Sequence, residues 1–318
     1  MTMNKIIKRK FYPGDLWLYV KIYASSIQCE SLLITRIPKI VTALIRKSII
    51  KKWFFIRYMD PDTHLRVRFY LKDTKDFPII MGLILKELRK ELSCGIVQKI
   101  QYDTYIREIE RYYESNIDDT ESLFYADSTT TLLLLKAIHQ NKTEDEERVA
   151  IACKSIDQLL TDFGYDIDSK LSIITMMSNS FCREFGYNDR NQMQLNIIFR
   201  DISKRIEPYV FSNGIVFTPF QQTICDIISG RSMKQTDVIS AIKKNIKYSK
   251  QKEQELICSY IHMMMNRLFC SQNRKYELLV YYFMKKKYTS IIARQEKGVI
   301  LSKCNELEYH YTTSKTTK

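Results

Sequence analysis

The chain has 318 residues, of which 45% are hydrophobic and 27% charged, a balance typical of a globular protein with a substantial core. Its 50 basic and 36 acidic residues give a formal net charge of +14 at pH 7. Such a charge fits a nucleic-acid surface, an acidic partner or simple solubility. Because the lysines are dispersed and no nucleic-acid-binding motif occurs, the charge alone does not indicate nucleic-acid binding.

Targeting and metal-binding signals are not found in the sequence. No run of about 18 apolar residues occurs, so we predict no transmembrane helix. The basic N-terminus lacks the apolar stretch of a secretory signal. None of the eight cysteines forms a CxxC pair or has the cysteine–histidine spacing of a zinc site. We therefore expect a reduced, cytoplasmic protein with no metal site and no cofactor.

The first third of the chain alternates strands and helices. The predicted elements are a strand Asp15–Ala24, a helix Ser31–Lys47, hairpin strands Trp53–Met59 and His64–Leu71, a helix Phe77–Leu92 and a strand Ile96–Glu110. Pro38 weakens the prediction for the first turns of the first helix. The order β-α-β-β-α-β predicts a ferredoxin-like sheet with its helices on one face.

From about residue 115 the apolar spacing is helical almost throughout. We predict helices at Thr120–Ile138, Glu144–Phe163, Ile167–Phe185, Arg190–Ile206, Val238–Ile246, Glu253–Phe269 and Tyr276–Arg294. A turn is predicted at Ser212-Asn213-Gly214, and the polar C-terminal end is expected to fray. The predicted fold class is therefore α+β, with an N-terminal ferredoxin-like βαββαβ sheet followed by a mainly helical C-terminal half.

The hairpin carries more arginine than an apolar β-ribbon needs. Its strands flank the turn-forming residues Asp60-Pro61-Asp62-Thr63. Because side chains alternate along a strand, His64, Arg66 and Arg68 should share one face. If Arg57 pairs with Arg66 across the ladder, three guanidinium groups lie on that face. Like charges placed opposite one another are destabilising, so this arrangement predicts an anionic group between them.

Two further segments carry candidate chemistry. His262 lies on a helix with an apolar side, where it fits either a hydrogen-bonded core residue or a proton carrier. Arg107 and Arg111 fit either a solvated face shared with Glu108 and Glu110 or part of an anion site. No Ser-His-Asp set, P-loop or dinucleotide motif occurs. Arginines with one histidine suit the binding of a carboxylate and the movement of a proton.

Four sequence blocks together resemble a known family. They are WLYVKIY, WFFIRYMDPDTHLRVRF, YIREIERY followed by ESLFYADS, and SYIHMMMNRLF, within residues 15–269. In this order they are similar to the C-terminal domain of LanB-type lantibiotic dehydratases, which also occurs alone in thiopeptide-type bacteriocin biosynthesis proteins. The resemblance implies a single domain over 1–318, with an α+β part at 12–113, a helical part at 114–300 and a flexible tail at 301–318.

The resemblance implies a lyase that removes glutamate from glutamylated serine or threonine of a precursor peptide. By position in the matched motifs, catalytic roles are implied for Arg66, Arg68, Arg111 and His262. Substrate contacts are expected from Arg57, His64 and Arg107, and Arg107 remains the alternative to Arg111 as the site arginine. The family usually has two glycines where this chain has Tyr113 and Glu114. A carboxylate there would oppose anion binding unless it turns away.

Nothing in the sequence resembles the larger glutamylating domain of that family. The implied arrangement is one half of a split dehydratase, whose partners are the precursor peptide, a glutamylating protein and, beyond them, a cyclase and a transporter. No direct tRNA binding and no membrane span are expected. Two alternatives stay open: a pyridine synthase that joins two dehydroalanines by a formal cycloaddition on the same scaffold, and a peptide-binding subunit without catalytic activity.

Overall fold

A computed structural model describes residues 7–143, 145–186, 189–210 and 217–313, without side-chain detail for 189–192, 210 and 297–313. The strands are β1 (Lys10–Phe11), β2 (Trp17–Tyr23), β3 (Ile50–Met59), β4 (Thr63–Leu71), β5 (Lys99–Asp103) and β6 (Tyr105–Ile106). The helices of the first third are α1 (Ser26–Thr35), α2 (Ile37–Arg46), α3 (Phe77–Ser93) and the single turn α4 (Ile109–Tyr112).

The remainder of the described chain is helical. Its helices are α5 (Ile117–Asn141), α6 (Asp145–Asp162), α7 (Ile167–Glu184), α8 (Asp189–Val210), α9 (Pro219–Asn245), α10 (Lys250–Leu268) and α11 (Asn273–Thr313). None of these described helices combines the length and the apolar character needed to cross a membrane. The α+β fold class predicted from the sequence is confirmed.

The main sheet has the strand order β3–β4–β2–β5, and all neighbouring strands are antiparallel. This order, reached through helices after β2 and after β4, is that of a ferredoxin-like βαββαβ unit. A separate two-stranded ribbon joins β1 to β6. Helices α1 and α2 pack against the sheet on the side of Leu65, Val67 and Phe69, all of which are buried.

Several element boundaries differ from the predictions. The helix predicted at Ser31–Lys47 is two helices: Ser25 caps the first, and Pro38 lies in the first turn of the second. The predicted strand Ile96–Glu110 is divided, because the chain leaves the main sheet after Asp103 to pair with β1 and then forms α4.

In the helical half, the helix predicted at Val238–Ile246 corresponds only to the C-terminal end of α9. The earlier turns of this helix bury the polar side chains of Arg231 and Gln235, which hide its apolar periodicity. The turn predicted at residues 212–214 lies outside the described residues. The segment expected to be a flexible tail, 301–318, has helical backbone through Thr313, and residues 314–318 lie outside the described part of the chain.

The outer edge of β3 is closed by side chains of the helical half. The amide of Phe55 donates to Ser128 on α5, and its carbonyl accepts from Arg267 on α10, at 3.2 and 2.8 Å. Asn266 accepts from the amide of Arg57 and donates to its carbonyl, both at 2.9 Å. Unpaired strand edges are open to unwanted pairing, and here helix side chains replace a neighbouring strand. These bonds fix α10 beside the sheet.

A buried carboxylate, Asp127 on α5, holds the helices around this edge. It lies 2.9 Å from Arg267 and 3.3 Å from Arg231, and all three side chains are buried. Arg267 therefore links the backbone of β3 to an internal ion cluster. Removing one member of a buried ion cluster leaves an uncompensated charge, which costs more than the cluster contributes.

We predict that Asp127→Asn lowers the free energy of unfolding by about 3–5 kcal/mol, because it leaves two arginines buried without a counter-charge. Urea unfolding measures the change. The matched control is Asp226→Asn on the exposed face of α9, which should shift stability by no more than about 0.5 kcal/mol. Equal effects of the two substitutions would contradict the structural role of Asp127.

Candidate functional site

The ladder between β3 and β4 decides which hairpin arginines share a face. Arg66 lies opposite Ile56, and Arg57 lies opposite Leu65. The predicted pairing of Arg57 with Arg66 is therefore wrong by one residue, and Arg57 belongs to the other face of the sheet. His64, Arg66 and Arg68 do share a face, as the alternation predicts.

Arg57 is buried in an ion cluster of its own. Its Nη2 donates to Glu30 at 3.0 Å, its Nε donates to the Arg267 carbonyl at 3.0 Å, and the side chain is 6% exposed. Arg148 donates to the same Glu30 carboxylate. Burial raises the pKa of Glu30, but the hydrogen bonds and charges of Arg148 and Arg57 outweigh this and hold it below its usual value. Arg57 thus has a carboxylate partner within the fold, which it shares with Arg148.

Arg107 is also occupied by internal contacts. Its Nε and Nη2 donate to the two carboxylate oxygens of Glu121 at 2.8 and 2.6 Å, and Nη2 also contacts Asp118 at 2.7 Å. This bidentate, buried pair fixes the segment after β6 against α5. Of the two arginines that the sequence left open, the structure places Arg107 in the core and Arg111 at the surface.

Arg68 has a different environment. Its guanidinium lies over the rings of Tyr19, Tyr105 and Phe54, at 4.5, 4.8 and 5.1 Å from their centroids, and the residue is only 8% exposed. Aromatic faces attract a cation but do not neutralise it. Among the described residues no carboxylate forms an ion pair with Arg68, and its buried Nε has no hydrogen-bond partner.

The phenols around Arg68 are uncharged near neutral pH. Burial raises the pKa of Tyr112 to about 12, and it raises the pKa values of Tyr19 and Tyr105 above their usual range. No tyrosinate therefore offsets the guanidinium charge. Burial of an unpaired cation is energetically unfavourable in a folded protein, and a bound anionic ligand would reduce this penalty.

A small cavity of about 30 Å³ adjoins this guanidinium, large enough for an ordered water. Its wall includes Arg68, Glu108, Tyr112 and Met263, together with aromatic side chains of the sheet. A wider groove of about 540 Å³ is lined by Arg111, Ser259 and neighbouring residues of α4 and α10. Helices α4 and α10 contribute to both, Tyr112 and Met263 to the cavity and Arg111 and Ser259 to the groove.

Arg111 and Glu108 connect the groove with the cavity. Arg111 donates from Nε to Ser259 on α10 at 3.2 Å, and its Nη1 lies 3.6 Å from a carboxylate oxygen of Glu108. Glu108 also lines the cavity of Arg68. The Glu108 side chain is 62% exposed, in agreement with the solvated face that was one of the two alternatives predicted for this segment. Its spacing of three residues from Arg111, across the turn of α4, is the signal that could have indicated this contact.

His262 lies on the part of α10 that meets the sheet. The next residue, Met263, lines the cavity of Arg68, Ser259 one turn earlier accepts from Arg111, and Asn266 one turn later bonds the backbone of β3. The imidazole is about one-third exposed, and its Nδ1 lies 3.0 Å from Glu277 on α11. Helix α10 therefore links the surroundings of Arg68 and Arg111 with His262, whose own side chain lines neither the cavity nor the groove.

Arg66 and His64 lie farther along the same sheet face. Arg66 stacks on Tyr58 at 3.3 Å from the ring centroid, and its Nε donates to His64 Nε2 at 3.1 Å. His64 Nδ1 lies 2.8 Å from the Asp62 carbonyl, so Nδ1 carries the hydrogen and Nε2 accepts. Burial lowers the pKa of His64, opposed in part by the Asp62 hydrogen bond. A neutral His64 thus orients Arg66.

Of the two residues that stand where the resemblance implies glycines, Tyr113 lies at the edge of the groove and Glu114 does not. Tyr113 has φ 61° and ψ 138°, a backbone conformation that glycine adopts freely and other residues adopt only at a cost of about 1–3 kcal/mol. Its hydroxyl donates to Glu255, and the residue lines the groove beside Arg111. Glu114 is exposed and lines neither the cavity nor the groove.

The chain is similar to proteins of lantibiotic biosynthesis. The family described as "Lantibiotic biosynthesis dehydratase C-term" matches residues 17–288. The Subtilin biosynthesis protein SpaB of Bacillus subtilis is 26% identical over 262 residues, which are 81% of this chain and 24% of that protein. The chain spans about a quarter of the length of the curated relatives that it matches.

Solved structures share the fold, among them a lantibiotic dehydratase and a pyridine synthase. The tRNA dependent lantibiotic dehydratase MibB from Microbispora sp. 107891 has a TM-score of 0.70 at 19% identity, over 90% of this chain and 29% of that chain. The pyridine synthase TbtD from thiomuracin biosynthesis has a TM-score of 0.55 at 9% identity, over 87% of this chain and 99% of that chain. At these identities the likeness concerns the fold alone.

The pKa of His64 predicts a pH dependence of stability. Because the folded state lowers this pKa, the unfolded chain binds the proton more readily, and stability should fall as the pH falls through the range where His64 titrates. We expect the wild type to lose more unfolding free energy than His64→Gln between about pH 7.5 and about pH 5. Urea titrations at both pH values measure this, and equal losses would contradict it.

Proposed function

Because the chain belongs to the family of lantibiotic biosynthesis dehydratase C-terminal domains, we propose that it eliminates glutamate from glutamylated serine or threonine of a ribosomally made precursor peptide. The products are dehydroalanine from serine and dehydrobutyrine from threonine. The observation that carries the proposal is Arg68, a buried guanidinium whose charge no described carboxylate neutralises.

The charges of the site suit this reaction. A base removes the α-proton of the esterified residue, the bond between its β-carbon and the ester oxygen breaks, and glutamate leaves as a carboxylate. Negative charge therefore develops on the enolate and on the leaving group. Arg68 and Arg111 supply fixed positive charge beside the cavity and the groove, and arginine binds carboxylates bidentately. Arg66 adds a third cation on the same sheet face.

Two groups are available for the proton transfer. Glu108 lines the cavity of Arg68, and His262 lies on α10 beside Met263, which lines the same cavity. A carboxylate and an imidazole are the commonest side chains in general acid–base roles. One of them removes the α-proton in this scheme, and the other can return a proton to the solvent or to the departing group.

The length of the curated relatives supports a second proposal, about partners. This chain corresponds to about a quarter of those proteins, so the step that forms the glutamyl ester belongs to another protein or domain. MibB is described as tRNA dependent. We assign any use of tRNA to that glutamylating component, and the precursor peptide is then the ligand that both components share.

A cycloaddition is the second candidate function, favoured by the likeness in fold to the pyridine synthase TbtD. Joining two dehydroalanines provides no departing glutamate for an unneutralised arginine to bind. Arg68 therefore supports elimination over cycloaddition. A glutamylated peptide offered to the purified chain separates these functions, since a peptide-binding subunit or a pyridine synthase would leave the glutamyl ester in place.

We predict that Arg68→Met causes glutamylated peptide to accumulate, with kcat/KM for elimination reduced about 100- to 1,000-fold, because the developing negative charge loses a preorganised cation. Mass spectrometry of the peptide measures the product. Methionine retains much of the buried volume, and circular dichroism checks the fold.

The matched control is Arg89→Met, which removes an exposed arginine from α3 and should leave elimination within about twofold of the wild type. Full elimination by Arg68→Met would refute the role of Arg68. Equal loss of activity in both variants would show that the effect is not specific to the site.

A further inference from the structure

The imidazole of His262 contacts a buried carboxylate through its Nδ1 atom. Glu277 on α11 is 1% exposed, and both of its oxygens lie 3.0 Å from Nδ1 of His262. The hydroxyl of Tyr281 donates to one of these oxygens at 3.0 Å. Arg274, which is partly exposed, approaches the same oxygen only to 3.8 Å. A buried carboxylate requires such partners, and the imidazole and the phenol are equally close to it.

This contact determines where the hydrogen of neutral His262 lies. An ionised carboxylate only accepts hydrogen bonds, so Nδ1 must donate to Glu277. The other ring nitrogen, Nε2, then carries the lone pair. Among the described residues Nε2 has no protein hydrogen-bond partner, and one-third of the side chain is exposed. The nitrogen that can accept a proton is therefore Nε2, which has no protein hydrogen-bond partner among the described residues.

We propose that Glu277 is a positioning residue, which fixes His262 in the Nδ1–H tautomer and holds Nε2 ready to accept a proton at the site. This inference rests on the proposed elimination for its catalytic consequence. Nε2 would take the α-proton of the glutamylated residue as the glutamate carboxylate leaves, and Glu277 would stabilise the resulting imidazolium. A carboxylate behind a catalytic imidazole has both effects in hydrolases.

The tautomer can be measured without any enzymatic assay. In the full chain labelled with ¹⁵N-histidine, the imidazole signals of His262 are assigned by their loss in His262→Gln. We expect a protonated Nδ1 and an unprotonated Nε2 in the neutral wild type. In Glu277→Ala we expect the Nε2–H form, which free histidine prefers. A wild-type spectrum with protonated Nε2, or a tautomer unchanged in Glu277→Ala, would overturn the proposal.

The kinetic consequence separates positioning from a purely structural role. Glu277→Gln keeps the size of the side chain but removes its charge, and it should lower kcat for elimination about 100-fold while KM stays within about threefold. The control is Glu91→Gln, a buried glutamate bonded to Arg36 on the other side of the sheet, which should keep kcat within about twofold. An unchanged kcat in Glu277→Gln would overturn the positioning role.

The assay of elimination and the measurement of the tautomer test the proposed function and the role of Glu277 separately. If the wild type does not eliminate glutamate from any glutamylated peptide, the proposed function is lost, while the tautomer still supports or refutes the contact with Glu277. If elimination proceeds and the spectrum shows Nε2–H, the proposed function stands and Glu277 is only a structural partner. If Glu277→Ala does not fold, the wild-type tautomer and the Glu277→Gln kinetics decide the inference.

Discussion

The site depends on the way the helical half closes the outer edge of β3. Ser128, Asn266 and Arg267 occupy the hydrogen-bonding positions that a neighbouring strand would take. Because Asn266 follows His262 by one turn of α10, these bonds also set the position of the histidine beside the sheet. The cavity next to Arg68 lies between the two halves that this junction holds together. Loss of the junction would separate the arginines of the sheet from His262.

The buried arginines fall into two groups according to what faces them. Arg57 and Arg107 each contact a carboxylate of the fold, and Arg267 contacts Asp127. Each of these arginines is held by a carboxylate of the fold, so they stabilise the arrangement of strands and helices, although Glu30 and Asp127 each serve two arginines. Arg68 is surrounded by neutral aromatic rings instead. Because Arg68 has no carboxylate contact among the described residues, we propose this residue for ligand binding.

The sequence predicted local patterns well and long-range partners poorly. Alternation along β4 correctly grouped His64, Arg66 and Arg68, because that pattern depends only on the geometry of one strand. The partner of Arg57 depends on the register of the hairpin, and a shift of one residue moved it to the opposite face. The partner of His262 could not be predicted at all, since Glu277 lies on another helix with no local signal for the contact.

The proposed function requires that Arg66 and Arg68, which share one face of β4, bind the carboxylate of a glutamyl group. The most direct measurement is calorimetric binding of two stable, amide-linked peptide analogues, one carrying a glutamyl group and the other the corresponding glutaminyl group. We expect at least about tenfold tighter binding of the glutamyl analogue, and a loss of this preference in Arg68→Met. Equal affinity for the two analogues in the wild type would contradict it.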